Sequence, residues 1–198
     1  MMLTEVTAVP TEALPVTQFR DHLRLGTGFT DSGLEDGLLE TYLRAAMSAI
    51  EAWTGKALIL REFVYETSTW ETRERQSLPL APVRDVSRLA LVDLNGVETL
   101  ADEARFRLMR DAHHPALVAV GASLPAIPTG GLARVTLDAG FGADWTDVPA
   151  DLGHAVVLLG AYYHEYRYEA RMGAERIPYG VSRLIAAWRP IRLGARGR

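Results

Sequence analysis

The sequence predicts an α+β protein in which helices at both ends of the chain flank a β-rich middle. Residues 31–55 repeat apolar side chains every three or four positions, which is the period of an amphipathic helix. Residues 57–142 change to an alternation with a period of two, which is typical of strands. After Trp145 the helical period returns. We therefore expect a small helical bundle, formed by the N- and C-terminal helices, with an inserted β-rich lobe.

The chain of 198 residues is long enough for one domain that carries such a lobe. We expect residues 1–56 to form the N-terminal helical part of the bundle and residues 57–145 to form the inserted lobe. Residues 146–198 then supply the C-terminal helices of the bundle and a basic tail.

The N-terminal part begins with a segment, up to Pro15, that the sequence predicts to be extended. Thr17 is placed to cap a short helix over residues 17–25, and Gly26 and Gly28 end it. The long helix that follows opens with Ser32 and Glu35, which have the spacing of a capping box, and it stops at Gly55.

Turn signals divide the β-rich lobe into strands. Residues 61–70 alternate, whereas the two prolines of residues 78–83 predict a connector or an edge strand. Asn95-Gly96 lies between two strand-like runs and is a strong hairpin signal. Residues 104–109 and 116–120 predict a second hairpin around the sequence RDAHHP. The last strand of the lobe is predicted from the alternating apolar positions Val135, Leu137, Ala139 and Phe141.

The C-terminal part contains the most apolar stretch of the chain. Thr146 or Asp147 is predicted to cap a helix that has Pro149 in its first turn and continues to Ala170. A linker follows, and a last short helix over residues 181–191 is broken by Pro190.

Composition excludes several classes of function. The absence of cysteine excludes disulfides, thiolate metal sites and a cysteine nucleophile. The net charge of −4 comes with interspersed acids and bases, so the chain lacks the general basic field of a strong phosphate binder, and only residues 189–198 concentrate positive charge. The N-terminus does not resemble a secretion signal, and no apolar run has the length of about 18 residues that a membrane span requires. We expect a protein that is made in the cytoplasm and makes no membrane contact.

The histidines do not form a recognisable metal site. His154 and His164 lie ten positions apart, and Tyr168 stands where a zinc-protease helix would carry the second ligand after His164-Glu165. We predict packing or surface roles for both histidines and for His22, and an exposed turn for His113-His114. The serines lack a nucleophile pattern and the glycine-rich segments lack the rest of a phosphate-binding loop, so we expect no catalytic residue, no cofactor and no metal.

A tyrosine cluster follows the apolar stretch, at Tyr162, Tyr163, Tyr166 and Tyr168. Tyrosines can stack on nucleic-acid bases, but no basic groove is interleaved with them, and protein interfaces also favour aromatic residues. An interface or core role is the preferred interpretation. Two alternatives stay open: a nucleic-acid-binding module that uses the tyrosines and the arginine-rich tail, and an enzyme with an unrecognised site around His113, His114 or His164.

The ordered segments along the chain resemble the head-tail connector, or adaptor, proteins of tailed bacteriophages, which are also found in phage-like gene transfer agents. The resemblance spans nearly the whole chain, and no single piece carries it alone. It is carried by LPVTQFRDHLRL, IEAWTGKAL, LPLAPVRDVSRLALVDLNG, VTLDAGFG, VPADLGHAVVLLGAYYHEYR and IPYGVSRLIAAWRPIRL, which occur in that order from Leu14 to Leu193.

This resemblance implies a non-enzymatic protein that assembles as a dodecameric ring under the portal of a virion or phage-like particle. Its expected partners are the portal protein, neighbouring copies of itself and a stopper or tail-completion protein, while DNA passes through the lumen without sequence-specific binding. Expected portal-binding residues are Trp188, Arg189, Ile191, Arg192, Leu193, Arg196 and Arg198. Expected residues of the ring interface are Tyr42, Trp53, Tyr162, Tyr163 and Tyr166.

Overall fold

The computed structural model describes residues 1–25, 32–166 and 177–189. Its strands are β1 (Met2–Glu5), β2 (Arg61–Thr67), β3 (Arg75–Ser77), β4 (Val83–Val92), β5 (Glu98–Leu100), β6 (Phe106–Met109), β7 (Ala116–Ala119) and β8 (Leu132–Ala139). Its α-helices are α1 (Val16–His22), α2 (Ser32–Thr54), α3 (Ala150–Glu165) and α4 (Tyr179–Ile185). The mixture of helices and antiparallel sheets confirms the predicted α+β class.

The chain forms two compact units. The β unit consists of residues 1–9 and 59–147, and the helical unit consists of the described parts of residues 10–58 and 148–198. Helices from both ends of the chain therefore belong to one unit, as a bundle with an insertion requires. The N-terminal residues join the β unit through β1, a strand that the sequence predicted only as an extended segment.

The larger sheet of the β unit has the order β1-β2-β8-β4-β5 and is antiparallel throughout. Alternate residues of β2 and β8 are buried, which confirms the period of two in these segments. The Asn95-Gly96 hairpin is also confirmed, since it joins β4 to β5 and Gly96 has a φ of 80°.

The smaller sheet has the order β3-β7-β6. Strands β6 and β7 form the predicted second hairpin, with Phe106 opposite Ala119 and Met109 opposite Ala116. Gln76 of this sheet is buried, and its side-chain amide donates a hydrogen bond to the Tyr65 hydroxyl of the larger sheet at 3.0 Å. Burial raises the pKa of that hydroxyl, which keeps it neutral as a hydrogen-bond partner.

The two ends of the inserted segment meet within the β unit. The backbone N–H of Leu60 donates to the Gly142 carbonyl at 2.7 Å, and Ile59 and Gly142 form a parallel bridge. Gly140 lies at the same crossing with a φ of 143°, and a Cβ atom there would come within 2.4 Å of the Leu60 backbone. This close approach requires glycine.

Helix α1 packs against α2 and α3, and α4 packs against α3. The centre of this helical core is the fully buried ring of Phe19, which lies on Gly160 of α3, where an added Cβ would be only 3.1 Å from the ring. The other buried apolar side chains of the four helices are Leu39, Leu43, Ala46, Met47, Ile50, Leu152, Ala155, Val156, Val157, Leu159, Val181 and Ile185.

Two predicted helix caps are wrong. The residue before α1 is Pro15 rather than Thr17, and the residue before α3 is Pro149 rather than Thr146 or Asp147. Proline fixes φ near the helical value, so it can start a helix without a side-chain cap. Asp147 instead accepts a backbone N–H bond from Asp144 at 3.2 Å. The described part of helix α3 runs from Ala150 to Glu165, and the predicted continuation to Ala170 lies outside the described residues.

Gly140→Ala tests whether close backbone approach makes glycine necessary at the base of the insertion. Its matched control is Gly121→Ala, since Gly121 also has a positive φ, 112°, but has open space where a Cβ atom would lie. We expect Gly121→Ala to lower the free energy of unfolding by roughly 1–2 kcal/mol. Gly140→Ala should lower the free energy of unfolding by about 1–3 kcal/mol more than Gly121→Ala does, because the Leu60 backbone has to move. Urea unfolding of both variants measures the difference, and equal losses would contradict the steric explanation.

Candidate assembly surfaces

The last described element contains two of the seven expected portal-binding residues. Trp188 ends a 3-10 turn over residues Ala186–Trp188 that directly follows α4, and Arg189 is exposed beside it. The Trp188 indole is half-buried, and its Nε1–H donates to the Asp151 carboxylate at 2.6 Å. The end of this element is therefore attached to the first turn of α3. The other five expected residues, Ile191, Arg192, Leu193, Arg196 and Arg198, lie outside the described residues.

Three of the expected ring-interface tyrosines lie together at the end of α3. The rings of Tyr162 and Tyr166 are 4.6 Å apart, and those of Tyr162 and Tyr163 are 6.4 Å apart. All three are half-buried, and burial raises the pKa of the Tyr163 hydroxyl. Tyr168, the fourth tyrosine of this segment, lies outside the described residues.

The remaining two expected interface residues lie on α2. Tyr42 meets His164 of α3 edge-on, with ring centroids 5.8 Å apart, so it adjoins the tyrosine cluster. Trp53 follows Tyr42 by eleven positions, which is about 16 Å along a helix axis. It is half-buried in the last turn of α2 and does not belong to the same aromatic group. The five residues are therefore divided between two places in the helical unit.

The other histidines are surface residues. His22 and His154 are exposed, and His113 and His114 are exposed at the β6–β7 turn as predicted. Within residues 1–25, 32–166 and 177–189, no group of three or more histidine, aspartate or glutamate side chains could hold a metal ion. None of the described helices combines the length and the apolar character needed to cross a bilayer.

Sequence reasoning missed the apolar residues along the two edges of the larger sheet. On the β5 side, Leu94, Val97 and Leu100 are 75%, 59% and 65% exposed. On the β1 side, Met2 and Val6 are 56% and 49% exposed. Exposed sheet edges with apolar side chains are typical of interaction surfaces. The signal was present in the sequence, because Leu94 and Val97 flank Asn95-Gly96, where a solvated turn would carry polar residues.

A row of alternating charges crosses the larger sheet beside these edges. Arg134 of β8 pairs with Glu66 of β2 at 2.7 Å and also with Glu98 of β5, which pairs with Arg88 of β4 at 2.6 Å. The carboxylates raise the pKa of Arg134, and the Glu66 hydrogen bond is the main cause. These charges satisfy one another, so the row joins four strands without creating a field of one sign.

A similar polar contact ties the start of the helical unit to α2. The Thr11 hydroxyl donates to Glu40 at 3.0 Å, and Arg44 pairs with the same carboxylate at 2.7 Å. The Arg44 and Thr11 hydrogen bonds hold the pKa of Glu40 below its usual value. These groups are near the surface, where ion pairs contribute little to stability.

Comparison with known structures shows full-length similarity to proteins of gene transfer agent (GTA) particles. A chain in the neck of an empty GTA particle, computed with C6 symmetry, is 52% identical, with 100% of both chains covered and a TM-score of 0.90. A chain of the virion of a native GTA particle is 52% identical, with 98% of both chains covered and a TM-score of 0.86. A chain in the neck of a native GTA particle, computed with C12 symmetry, is 48% identical, with 100% of both chains covered and a TM-score of 0.84. No protein-family model and no curated sequence matches the chain.

The shared fold and the identity over the full length define the class as structural proteins of a virion neck. Within that class, the chain belongs to the head-tail connector family of phage-like particles, which confirms the resemblance seen in the sequence. Its place is the neck of such a particle, where it associates with other particle components and with copies of itself.

Trp188→Phe tests whether the indole–carboxylate bond fixes the end of the C-terminal element. Removing the indole N–H should lower the free energy of unfolding by about 0.5–1.5 kcal/mol, and it should increase hydrogen exchange of the α4 amides. Asp151→Ala, which removes the acceptor, should have a similar effect, and the double variant should cost less than the sum of the two. Arg189→Gln, an exposed neighbour, is the control and should change neither quantity. Additive losses in the double variant would contradict the proposed coupling.

Proposed function

We propose that the chain is a head-tail connector that closes as a dodecameric ring under the portal of a GTA-like particle. The observation that carries this proposal is the full-length similarity, at 48% identity, to a neck chain whose structure was computed with C12 symmetry. An identity of this size, with a TM-score of 0.84, supports the same assembly for both chains. The role is structural and non-enzymatic.

A cyclic ring needs two different faces on each subunit, because each copy contacts its two neighbours through unlike surfaces. The uncovered edges of the larger sheet meet this requirement. Strands β1 and β5 lie at opposite edges, and both carry exposed apolar side chains. We propose that neighbouring copies cover these edges, and that the tyrosine cluster at Tyr162, Tyr163 and Tyr166, together with Tyr42 and Trp53, contributes further contacts.

Portal docking is proposed for the C-terminal element and for the residues that follow it. The Trp188–Asp151 bond holds the last described turn, so a following segment would start from a fixed position. A fixed starting point lowers the entropy cost of binding. The proposed contacts are Trp188, Arg189, Ile191, Arg192, Leu193, Arg196 and Arg198.

The ring would pass DNA through its lumen and receive a stopper or tail-completion protein on the side away from the portal. The net charge of −4 on each copy supports passage without strong retention of DNA. No finding supports the alternative of a nucleic-acid-binding module built on the tyrosine cluster and the arginine-rich tail. The described tyrosines, Tyr162, Tyr163 and Tyr166, are half-buried, which leaves less aromatic surface for stacking on bases.

The mass of the purified protein, measured by light scattering alone and with the portal protein of the same particle, tests the ring. Twelve copies of the 21.8 kDa chain give about 262 kDa. We expect this mass to be added to the portal ring. Deletion of residues 190–198 should abolish the addition, while far-UV circular dichroism stays that of the intact fold. Failure of the intact chain to associate at any salt concentration would contradict the proposal.

The double variant Val97→Ser/Leu100→Ser tests the β5 edge as a contact between copies. Both side chains are exposed, so their replacement should leave the free energy of unfolding within about 0.5 kcal/mol of the parent value. Ring formation on the portal should nevertheless weaken, because two apolar side chains lose their buried position in the interface.

Val120→Ser is the matched control, since Val120 is 51% exposed in the same unit but lies on neither edge strand of the larger sheet. It should leave ring formation unchanged. A ring that forms equally well with the Val97→Ser/Leu100→Ser variant would assign the contact between copies to another surface, with the tyrosine cluster next to be tested.

A further inference from the structure

A cleft in the β unit combines two arginines that form no ion pair with any described residue. It has a volume of about 550 Å³ and is lined by Pro82, Val83, Arg84, Arg110, Asp111 and Ala112. Arg84 lies near the start of β4, and Arg110 directly follows β6. Other arginines of the β unit, such as Arg73 and Arg105, also form no ion pair with a described residue, but they do not line the cleft. Arg84 and Arg110 are distinguished by lining one cleft together.

Backbone carbonyls hold both guanidinium groups in place. The Arg110 Nε–H donates to the carbonyl oxygen of Arg84 at 3.1 Å, and the Arg84 Nε–H donates to that of Gly140 at 3.2 Å. These bonds use the inner N–H of each side chain and leave the two terminal NH₂ groups of each guanidinium to bind a ligand. Both side chains are exposed, so a ligand can reach them from solvent. Because the backbone carbonyls already restrict the two arginine side chains, binding a ligand costs less side-chain entropy than it would with freely moving arginines.

The carboxylate that lines the cleft is used by its own loop. One oxygen of Asp111 accepts the backbone N–H groups of His113 and His114, both at 2.7 Å. These two bonds lower the pKa of Asp111 and hold its charge towards the turn. The cleft is lined by two guanidinium groups and one carboxylate, so its local charge is positive, although the net charge of the whole chain is −4. Asp85 follows Arg84 in β4 and lies opposite Asp138 of β8, and neither of these acids lines the cleft.

We propose that this cleft binds a phosphate group, either as free phosphate or within a nucleic-acid backbone. Two guanidinium forks can each supply paired N–H donors to the oxygens of a tetrahedral phosphate. A single carboxylate offers only two oxygens and one charge, so it matches one fork rather than two. None of the residues that line the cleft lies on β1 or β5, the two edge strands that the proposed ring contacts use, and all of them come from a single chain.

The test is a titration of the isotope-labelled full-length chain with sodium phosphate at constant ionic strength, followed by amide NMR shifts. We expect saturable shifts at the amides of Arg84, Arg110, Asp111 and Ala112. The double variant Arg84→Gln/Arg110→Gln should weaken binding by roughly tenfold or more, as loss of charge-assisted hydrogen bonds predicts. The double variant Arg84→Lys/Arg110→Lys keeps both charges but loses the paired N–H donors of the guanidinium groups. Its phosphate affinity should fall between that of the parent chain and that of the Arg84→Gln/Arg110→Gln variant.

The matched control is Arg73→Gln/Arg105→Gln, which removes the same charge from exposed arginines of the same unit that do not line the cleft. It should bind phosphate like the parent chain. Equal weakening by both double variants would mean that only net charge matters, and it would overturn the proposed site. Thermal unfolding of every variant shows whether a loss of binding reflects a loss of fold.

Two further ligands separate the possible sources of the phosphate. A short DNA duplex that shifts the same amides, with a salt-dependent affinity that the Arg84→Gln/Arg110→Gln variant loses, supports a nucleic-acid backbone as the source. Binding of inorganic phosphate without the duplex supports a free anion. Binding of acetate or a glutamate-rich peptide as tightly as phosphate overturns the proposal, as does the absence of saturable shifts with phosphate.

Discussion

Residues 59–147 are inserted between two parts of the helical unit, so the two ends of this segment have to lie side by side, and the rest of the fold depends on that closure. The closure is made by backbone rather than by side chains: Leu60 donates to the Gly142 carbonyl at 2.7 Å, and Gly140 crosses Leu60 at a distance that excludes a Cβ atom. Gly142 is crowded in the same way, since a Cβ there would come within 2.0 Å of the Asp147 carboxylate. These contacts belong to the β unit itself, so the two ends of the inserted segment are held together without help from its outer loops.

The same closure explains the order of the larger sheet. Strand β8 is the last strand of the insertion, yet it lies in the middle of the sheet, between β2 and β4. Its residues are therefore paired with partners about forty to eighty positions earlier, as Val135 is with Tyr65 and Leu89. Non-local pairing of this kind is slow to form but, once formed, joins the two ends of the segment. The edges are then left to β1 and β5, which have only one strand neighbour each.

Local patterns in the sequence were sufficient for the elements whose burial is periodic. The long helix α2, the alternating strands β2 and β8 and the Asn95-Gly96 hairpin could all be predicted, because each carries its signal within a few residues. Strand β1 could not be predicted as a strand, since all four of its residues are exposed and show no alternation. Its pairing with β2 rests on backbone bonds and on the ion pair of Glu5 with the buried Arg61 at 3.0 Å, which joins residues 56 positions apart.

The caps of α1 and α3 were mistaken because side-chain capping was expected where proline alone starts the helix. The Trp188–Asp151 contact joins residues 37 positions apart and leaves no local trace.

The residues of the proposed assembly surfaces differ in how much they contribute to the stability of a single chain. Val97 and Leu100 are more than half exposed, so the isolated fold gains little from them, whereas their burial by a neighbouring copy in the proposed ring would add free energy of association. Tyr162, Tyr163 and Tyr166 are half-buried and pack on one another, so they contribute to the fold whether or not a neighbour is present. In the proposed ring, this division would separate the residues that stabilise a single chain from those that a neighbouring copy covers. Strand β5 has only three residues, and Glu98 within it forms ion pairs with Arg88 and Arg134. Short edge strands and charged side chains disfavour unspecific pairing, so in the proposed ring this polar row would border the apolar side chains that a neighbouring copy covers. Specificity of this assembly would then come from the shape and charge around these side chains, while the apolar side chains supply the gain in free energy.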